Sequence, residues 1–357
     1  VHATYQFRVG TLNWRDVRHY VHLADTATLP SPPGAGSPAL FGVAVTSLSA
    51  SWNSGSPGNP AGTRYEARAS STNFAPGTTV VSSSTLNLGD NLLGLLSNTT
   101  YFVRARVLSH GGQAVETVLG TTVTLAAAPG APALTAASST SLTVSWSTSA
   151  SQGYRLEASS TNFGAGLVYS SATPNGSLGS LTVSGLDPNT THYLRVAALN
   201  WNSPPNYASV ASSITLAPAL AGVQQAAVFE TSATLNWAAL PASPQAATSE
   251  GYALEASSTD FGALAPGGLT LSSATPGVGW ATLTVAGLTA NVTYYYRAGA
   301  LNWAGTANFG AAGSSATLAP LPGAPAFAGI FPGSVTVSWT PVSSSGYELQ
   351  ASLNASF

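Results

Sequence analysis

The chain has 357 residues, a net charge of −2 and 6% charged side chains, against about 25% in an ordinary soluble domain. All ten basic residues are arginine and there is no cysteine. This leaves no basic patch for nucleic acid and no polybasic stretch for anionic lipid, and any fold must be held by packing alone. No apolar run approaches the ~18 residues that a membrane span needs.

In chain order, the opening stretch "VHATYQFRVGTLNW" reads as a strand leading to a turn, with Tyr5 and Arg8 at places that recur later. From residue 31 a fuller pattern begins. "LSASW" puts Leu48, Ala50 and Trp52 on one face, the period-two alternation of a half-buried strand. "YEARASSTNF" follows from Tyr65, then "GLLSNTTYFVRARVLSH" from Gly94 as strand, turn, strand. "TVTLAAAP" closes the unit, its proline ending strand pairing.

The same landmarks return in the same order at intervals of roughly 90 to 100 residues, the size of a small β-sandwich. The second set is "LTVSW" (Leu142, Val144, Trp146), "YRLEASSTNF" from Tyr154, "LTVSGLDPNTTHYLRVAALNW" from Leu181, and "ITLAP". The third is "ATLNW" (Ala233, Leu235, Trp237), "YALEASSTDF" from Tyr252, "LTVAGLTANVTYYYRAGALNW" from Leu283, and "ATLAP". A fourth begins with "VTVSW" (Val335, Val337, Trp339), and "YELQASLNASF" from Tyr347 ends the chain. Tyr154, Leu156 and Ala158 are expected inside, and Arg155, Glu157 and Ser159 in water.

The tryptophan strand, the tyrosine that opens each phrase, and the leucine corner six residues before an aromatic resemble the fibronectin type III family. The corner leucines are Leu95, Leu186 and Leu288, answered by Tyr101 and Tyr294; the middle copy departs from the pattern with His192. The resemblance implies an all-β chain of tandem immunoglobulin-like (fibronectin type III) sandwiches arranged as a rod, each with seven strands in two sheets. The tryptophan strand would be the second of the seven and the phrase strand the third. The boundaries read as a partial unit 1–30, units 31–128, 129–217 and 218–319, and a partial unit 320–357. The partial ends fit a window on a longer array, or a subunit whose last strands complete the first strands of the next.

Arg8, Arg104, Arg195 and Arg297 recur on the corner strand, and Glu66, Glu157, Glu255 and Glu348 on the phrase strand. One cross-strand Glu–Arg pair per unit is expected. Trp14, Trp201 and Trp303 end the corner strand in "LNW", with His110 at that place in the first full unit. Phe74, Phe163, Phe261 and Phe357 lie just past the phrase strand. The family topology implies that these aromatics meet across joints, Phe74 near Trp201 and Phe163 near Trp303; core packing and a ligand-contact surface are the alternatives. Asn98, Asn175, Asn189, Asn291 and Asn354 open Asn-x-Ser/Thr triplets, which suit either glycan attachment or turn chemistry.

No catalytic motif of the GxSxG, P-loop or HExxH type is present, and no cofactor or metal site is expected. His19 and His22 are the one pair near enough in sequence to consider for a metal. The expected function is a non-catalytic extracellular structural protein, a surface stalk, fibre or filament that self-associates through neighbouring arrays. The alternatives are an adhesin or glycan-binding array using the loop tryptophans, and a spacer in a large secreted hydrolase.

Overall fold

The structure is a computed structural model that describes residues 1–201, 204–261 and 270–354; Phe357 lies outside the described residues. Among the described residues nearly all regular structure is β-strand, with one 3-10 turn at Gln245–Ala247.

The middle copy shows how the sequence makes the fold. Gly130–Ala137, Ser141–Ser147 and Ser180–Ser184 form one antiparallel sheet, with the tryptophan strand Ser141–Ser147 at its centre. Val168–Thr173, Gly153–Ser159, Thr191–Leu199 and Asn206–Ile214 form the other, in that order. Alternation in the tryptophan strand sends Leu142, Val144 and Trp146 inward; Tyr154, Leu156, Ala158, Leu194 and Val196 meet them from the facing sheet. Burying one such Leu or Val side chain contributes about 1.5–3 kcal/mol. The Trp146 and Tyr154 rings pack tilted, 5.1 Å apart. The Tyr154 hydroxyl donates to the Ser149 carbonyl at 2.9 Å and accepts the Ser149 N–H at 2.7 Å, pinning the loop between the two strands. Gly153 must precede this tyrosine: its φ is +144°, and a Cβ there would lie 2.0 Å from the Thr173 carbonyl oxygen.

The copies on either side repeat this plan around separate cores, one holding Leu48, Trp52 and Tyr65, the other Leu235, Trp237 and Tyr252. Each also has a polar strand that pairs with the phrase strand at the sheet edge: Val81–Thr85, Val168–Thr173 and Thr270–Pro276. Hydrophobic pattern gives no notice of these strands, because they are mostly Ser and Thr and cover little core.

The first segment pairs Arg8–Leu12 with Arg18–His22, and the last pairs Gly323–Phe331 with Ser334–Thr340. The phrase from Tyr347 is not a strand here. A phrase strand is held by the corner strand beside it, and none pairs with residues 347–354. Tyr347 still packs tilted against Trp339, 5.3 Å away, and its hydroxyl bonds both backbone groups of Val342.

One threonine closes each copy. Thr28, Thr124, Thr215 and Thr317 accept the N–H of Ala3, Thr99, Thr190 and Val292 at 3.0–3.1 Å. In the three full copies the hydroxyl donates to the carbonyl of Leu96, Asp187 or Thr289 at 2.6–2.7 Å. Each such threonine ties the closing strand to the corner turn, so the turn that faces the next copy is rigid.

Candidate functional site

The corner turn carries one residue in left-handed conformation in each of the first four copies: His2, Asn98, Asn189 and Asn291, with φ between 48° and 56°. Asparagine tolerates this region because its short amide finds local partners. At Asn189 those partners belong to the next copy. Its Oδ1 accepts the backbone N–H of Trp303 at 2.9 Å, and its Nδ2 faces the Thr248 carbonyl and Glu250 Oε1, each at 3.4 Å. Gln245, on the 3-10 turn, donates to the Asn189 carbonyl at 3.3 Å. Beside this, Asn302 Nδ2 donates to Thr215 O at 3.2 Å and Asn308 Nδ2 to Ala217 O at 2.8 Å. The Asn302 Oδ1 shapes its own loop by accepting the N–H groups of Ala304 and Thr306. The joint is therefore built mainly of neutral amides that read backbone on the neighbouring copy, with the Glu250 carboxylate accepting from Asn189 and Gln245.

The joint before it is related but less complete. Asn206 Nδ2 donates to Ala126 O at 3.0 Å, as Asn308 does to Ala217. Asn98 Oδ1 and both amide atoms of Asn200 are buried without a hydrogen-bond partner. At the first joint His2 takes the asparagine place. It is buried, its Nδ1 lies 3.1 Å from Thr63 Oγ1, and its ring packs 4.3 Å from that of His110.

The expected pairing of phenylalanines with tryptophans across joints is corrected. Phe163 lies over Arg195 of its own sheet at 3.9 Å, Phe261 over Arg297 at 4.2 Å, and Phe74 over Arg104 at 4.1 Å. The turn after the phrase strand folds back, because Ser159 Oγ accepts the N–H groups of Thr161 and Phe163, and this lays the ring on the sheet. The middle arginine is sandwiched: Tyr207 covers its other face at 4.1 Å, and Phe309 does the same for Arg297 at 4.4 Å. What meets Trp303 is Asn189, through the tryptophan's backbone. The indoles turn outward, Trp14, Trp201 and Trp303 being 105%, 63% and 59% exposed.

The Glu–Arg pairs form as expected in two copies, where Glu157 faces Arg195 at 2.7 Å and Glu255 faces Arg297 at 2.6 Å. Glu157 and Ser159, expected in water, are buried, since Arg195, Tyr207 and Phe163 roof this part of the sheet. Tyr207 donates to Glu157 at 3.0 Å; burial first, then this bond, raises the phenol's pKa. In the first full copy the pairing changes. Glu66 sits one place after its tyrosine, so the register sets it against Arg106, while Arg104 faces Arg68. Glu116 on the closing strand joins both of those arginines.

Asn189 is fully buried with its Nδ2 directed into the joint, so it has no open glycan acceptor atom in this arrangement. Asn98 is half-buried; Asn175, Asn291 and Asn354 are exposed. His19 and His22 are three places apart on one strand, so they point to opposite faces and do not share an ion. No group of three or more His, Asp or Glu able to hold a metal occurs among the described residues. No helix among them is long and apolar enough to cross a membrane.

With the two-sheet topology, the tryptophan–tyrosine core and the corner turn established, the model of the fibronectin type III domain family matches residues 127–210, which span the middle sandwich. The copies on either side repeat its strand order and core residues. Residues 127–210 form a fibronectin type III domain. No curated protein sequence matches it. Among solved structures, it is similar to the FN1–FN3 domains of chicken CNTN1 at 16% identity, over 81% of this chain and 100% of that one, with a TM-score of 0.30. It is also similar to a two-domain fibronectin type III segment of chicken tenascin at 16% identity, over 50% and 97%, with a TM-score of 0.34.

Proposed function

We propose that this chain is a non-catalytic structural array of fibronectin type III domains, exported to the cell surface or beyond, where it serves as a stalk, fibre or filament. Its units run 1–30, 31–128, 129–217, 218–319 and 320–357. The observation that carries the reading is the Asn189 joint: a conformationally fixed turn of one domain bonded to the loop of the next, with short linkers on either side. Such a joint turns a string of sandwiches into a semi-rigid rod. Low charge suits lateral packing of neighbouring arrays better than free solution. Small-angle scattering of the full chain tests the rod: a narrow range of interdomain angles supports it, and a freely jointed profile opposes it. Sedimentation tests lateral packing, which a monodisperse chain at high concentration would contradict.

A second reading, an adhesin or glycan-binding array, draws on the outward indoles of Trp201 and Trp303. Exposed aromatic rings suit stacking on sugar faces. Glycan-array binding abolished by Trp201→Ala with Trp303→Ala would favour it over the rod alone.

A further inference from the structure

The first joint differs from the others in chemistry while keeping their geometry. His2 has the left-handed backbone of Asn189, with φ 56° against 48°. His110 stands at the place of Trp201 and Trp303. Thr63 is two residues before Tyr65, as Glu250 is two before Tyr252, and each receives the turn residue of the preceding copy. A neutral amide lock has thus been rewritten with two imidazoles, their centroids 4.3 Å apart at an interplanar angle of 38°.

We propose that this joint is an acid-sensitive hinge: protonation of His2 where it packs against His110 undocks residues 1–30 from the following sandwich, while the later joints stay closed. The physical basis is the surroundings of the pair. The cleft around it is lined by Gly62, Arg64, Leu108, Ser109, His110 and Gly112, with no carboxylate among them. From the loop before the phrase strand comes Arg64, and from the loop after the corner strand comes His110. A proton on His2 places positive charge beside the Arg64 guanidinium and against the His110 ring, with no carboxylate in the cleft to offset it. Burial first, then the neighbouring His110, holds the His2 pKa below its ordinary 6.5 while docked.

The sign follows from linkage. A histidine whose pKa is lower docked than undocked supports docking fully above its undocked value. That support falls as pH drops below about 6.5 and levels off below the depressed value. Asn189, Asn302 and Asn308 at the later joint do not titrate, and the carboxylate there, Glu250, accepts amide N–H groups, so acid brings no like-charge repulsion to that joint. The hinge rests on the joint geometry and holds whatever the array is for.

The absence of native cysteine makes the test direct. Spin labels at Thr11→Cys and Ala61→Cys, both exposed positions, report the distance between the first segment and the next sandwich in the full chain. A narrow distance distribution at pH 7.5 that broadens below about pH 6 is expected. The pair His2→Asn with His110→Trp rebuilds the later type of joint and should keep the distribution narrow at pH 5. His110→Gln alone, which replaces the ring facing His2 with a neutral amide, should reduce the acid broadening. An unchanged distribution in the parent at pH 5 would overturn the hinge, as would equal broadening in the double variant.

Discussion

The Oδ1 of Asn189 accepts the backbone N–H of Trp303 at 2.9 Å, a bond that spans 114 residues and joins two separately cored sandwiches. Removing this side chain is expected to free the joint while both cores persist. Asn189→Gly keeps the left-handed backbone available, whereas Asn189→Ala also strains it by about 1–2 kcal/mol. Scattering should show a wider spread of angles for both, and calorimetry a lower transition for Ala than for Gly. The joint itself should weaken by about 1–3 kcal/mol, the usual cost of leaving buried partners unpaired.

Arg195 and Arg297 occupy the same place in successive copies, but their glutamates differ in depth. The Glu157 side chain is 8% exposed and that of Glu255 21%. Arg195→Ala leaves the deeper carboxylate only Tyr207 and, at 3.7 Å, Arg155, and should destabilise the middle domain by about 2–3 kcal/mol. Arg297→Ala should cost less. Chemical denaturation of each variant gives the comparison.

His192 stands where Tyr101 and Tyr294 stand in the neighbouring copies. Those hydroxyls accept the N–H of Leu96 and Thr289 at 2.9 and 3.0 Å; the imidazole instead has Nε2 3.4 Å from the Asp187 carbonyl, and its buried Nδ1 is unpartnered. Burial lowers its pKa, only partly offset by the Asp187 carbonyl and carboxylate. The middle domain is therefore most stable above about pH 6.5 and loses stability as acid charges the ring. His192→Tyr should remove that slope, read as the midpoint of unfolding against pH between 7.5 and 5.

Leu156 and Leu254 are matched residues of two different cores. Leu156→Ala should cost the middle domain about 3 kcal/mol and leave the transition of the third domain in place. A single merged transition, shifted as one, would contradict independent cores.

Much of the fold is legible in the sequence, and the reason is local. A strand with one face buried must alternate, so Leu142, Val144 and Trp146 announce their own direction. The turn signals and the period near one sandwich supply the copy number. The polar edge strands such as Val168–Thr173 are silent, because pairing at an edge asks little of side-chain hydrophobicity.

At the joints the sequence announced the place but not the partners. The Asn-x-Thr triplets and the "LNW" loops repeat visibly, yet triplets fit turns and glycan acceptors alike. The repeated left-handed turn and the closing threonine could have been suspected from the conserved spacing of Asn189 and Thr215 to Asn291 and Thr317, both pairs being 26 apart. That Phe163 folds back onto Arg195 depends on the Ser159 cap, and that Asn189 reaches Trp303 depends on how two rigid bodies meet. Alternation along a strand is set by covalent geometry and is written in neighbouring residues. Contacts between copies are set by the sum of a turn, a linker and a loop, and that sum exists only once the chain has folded.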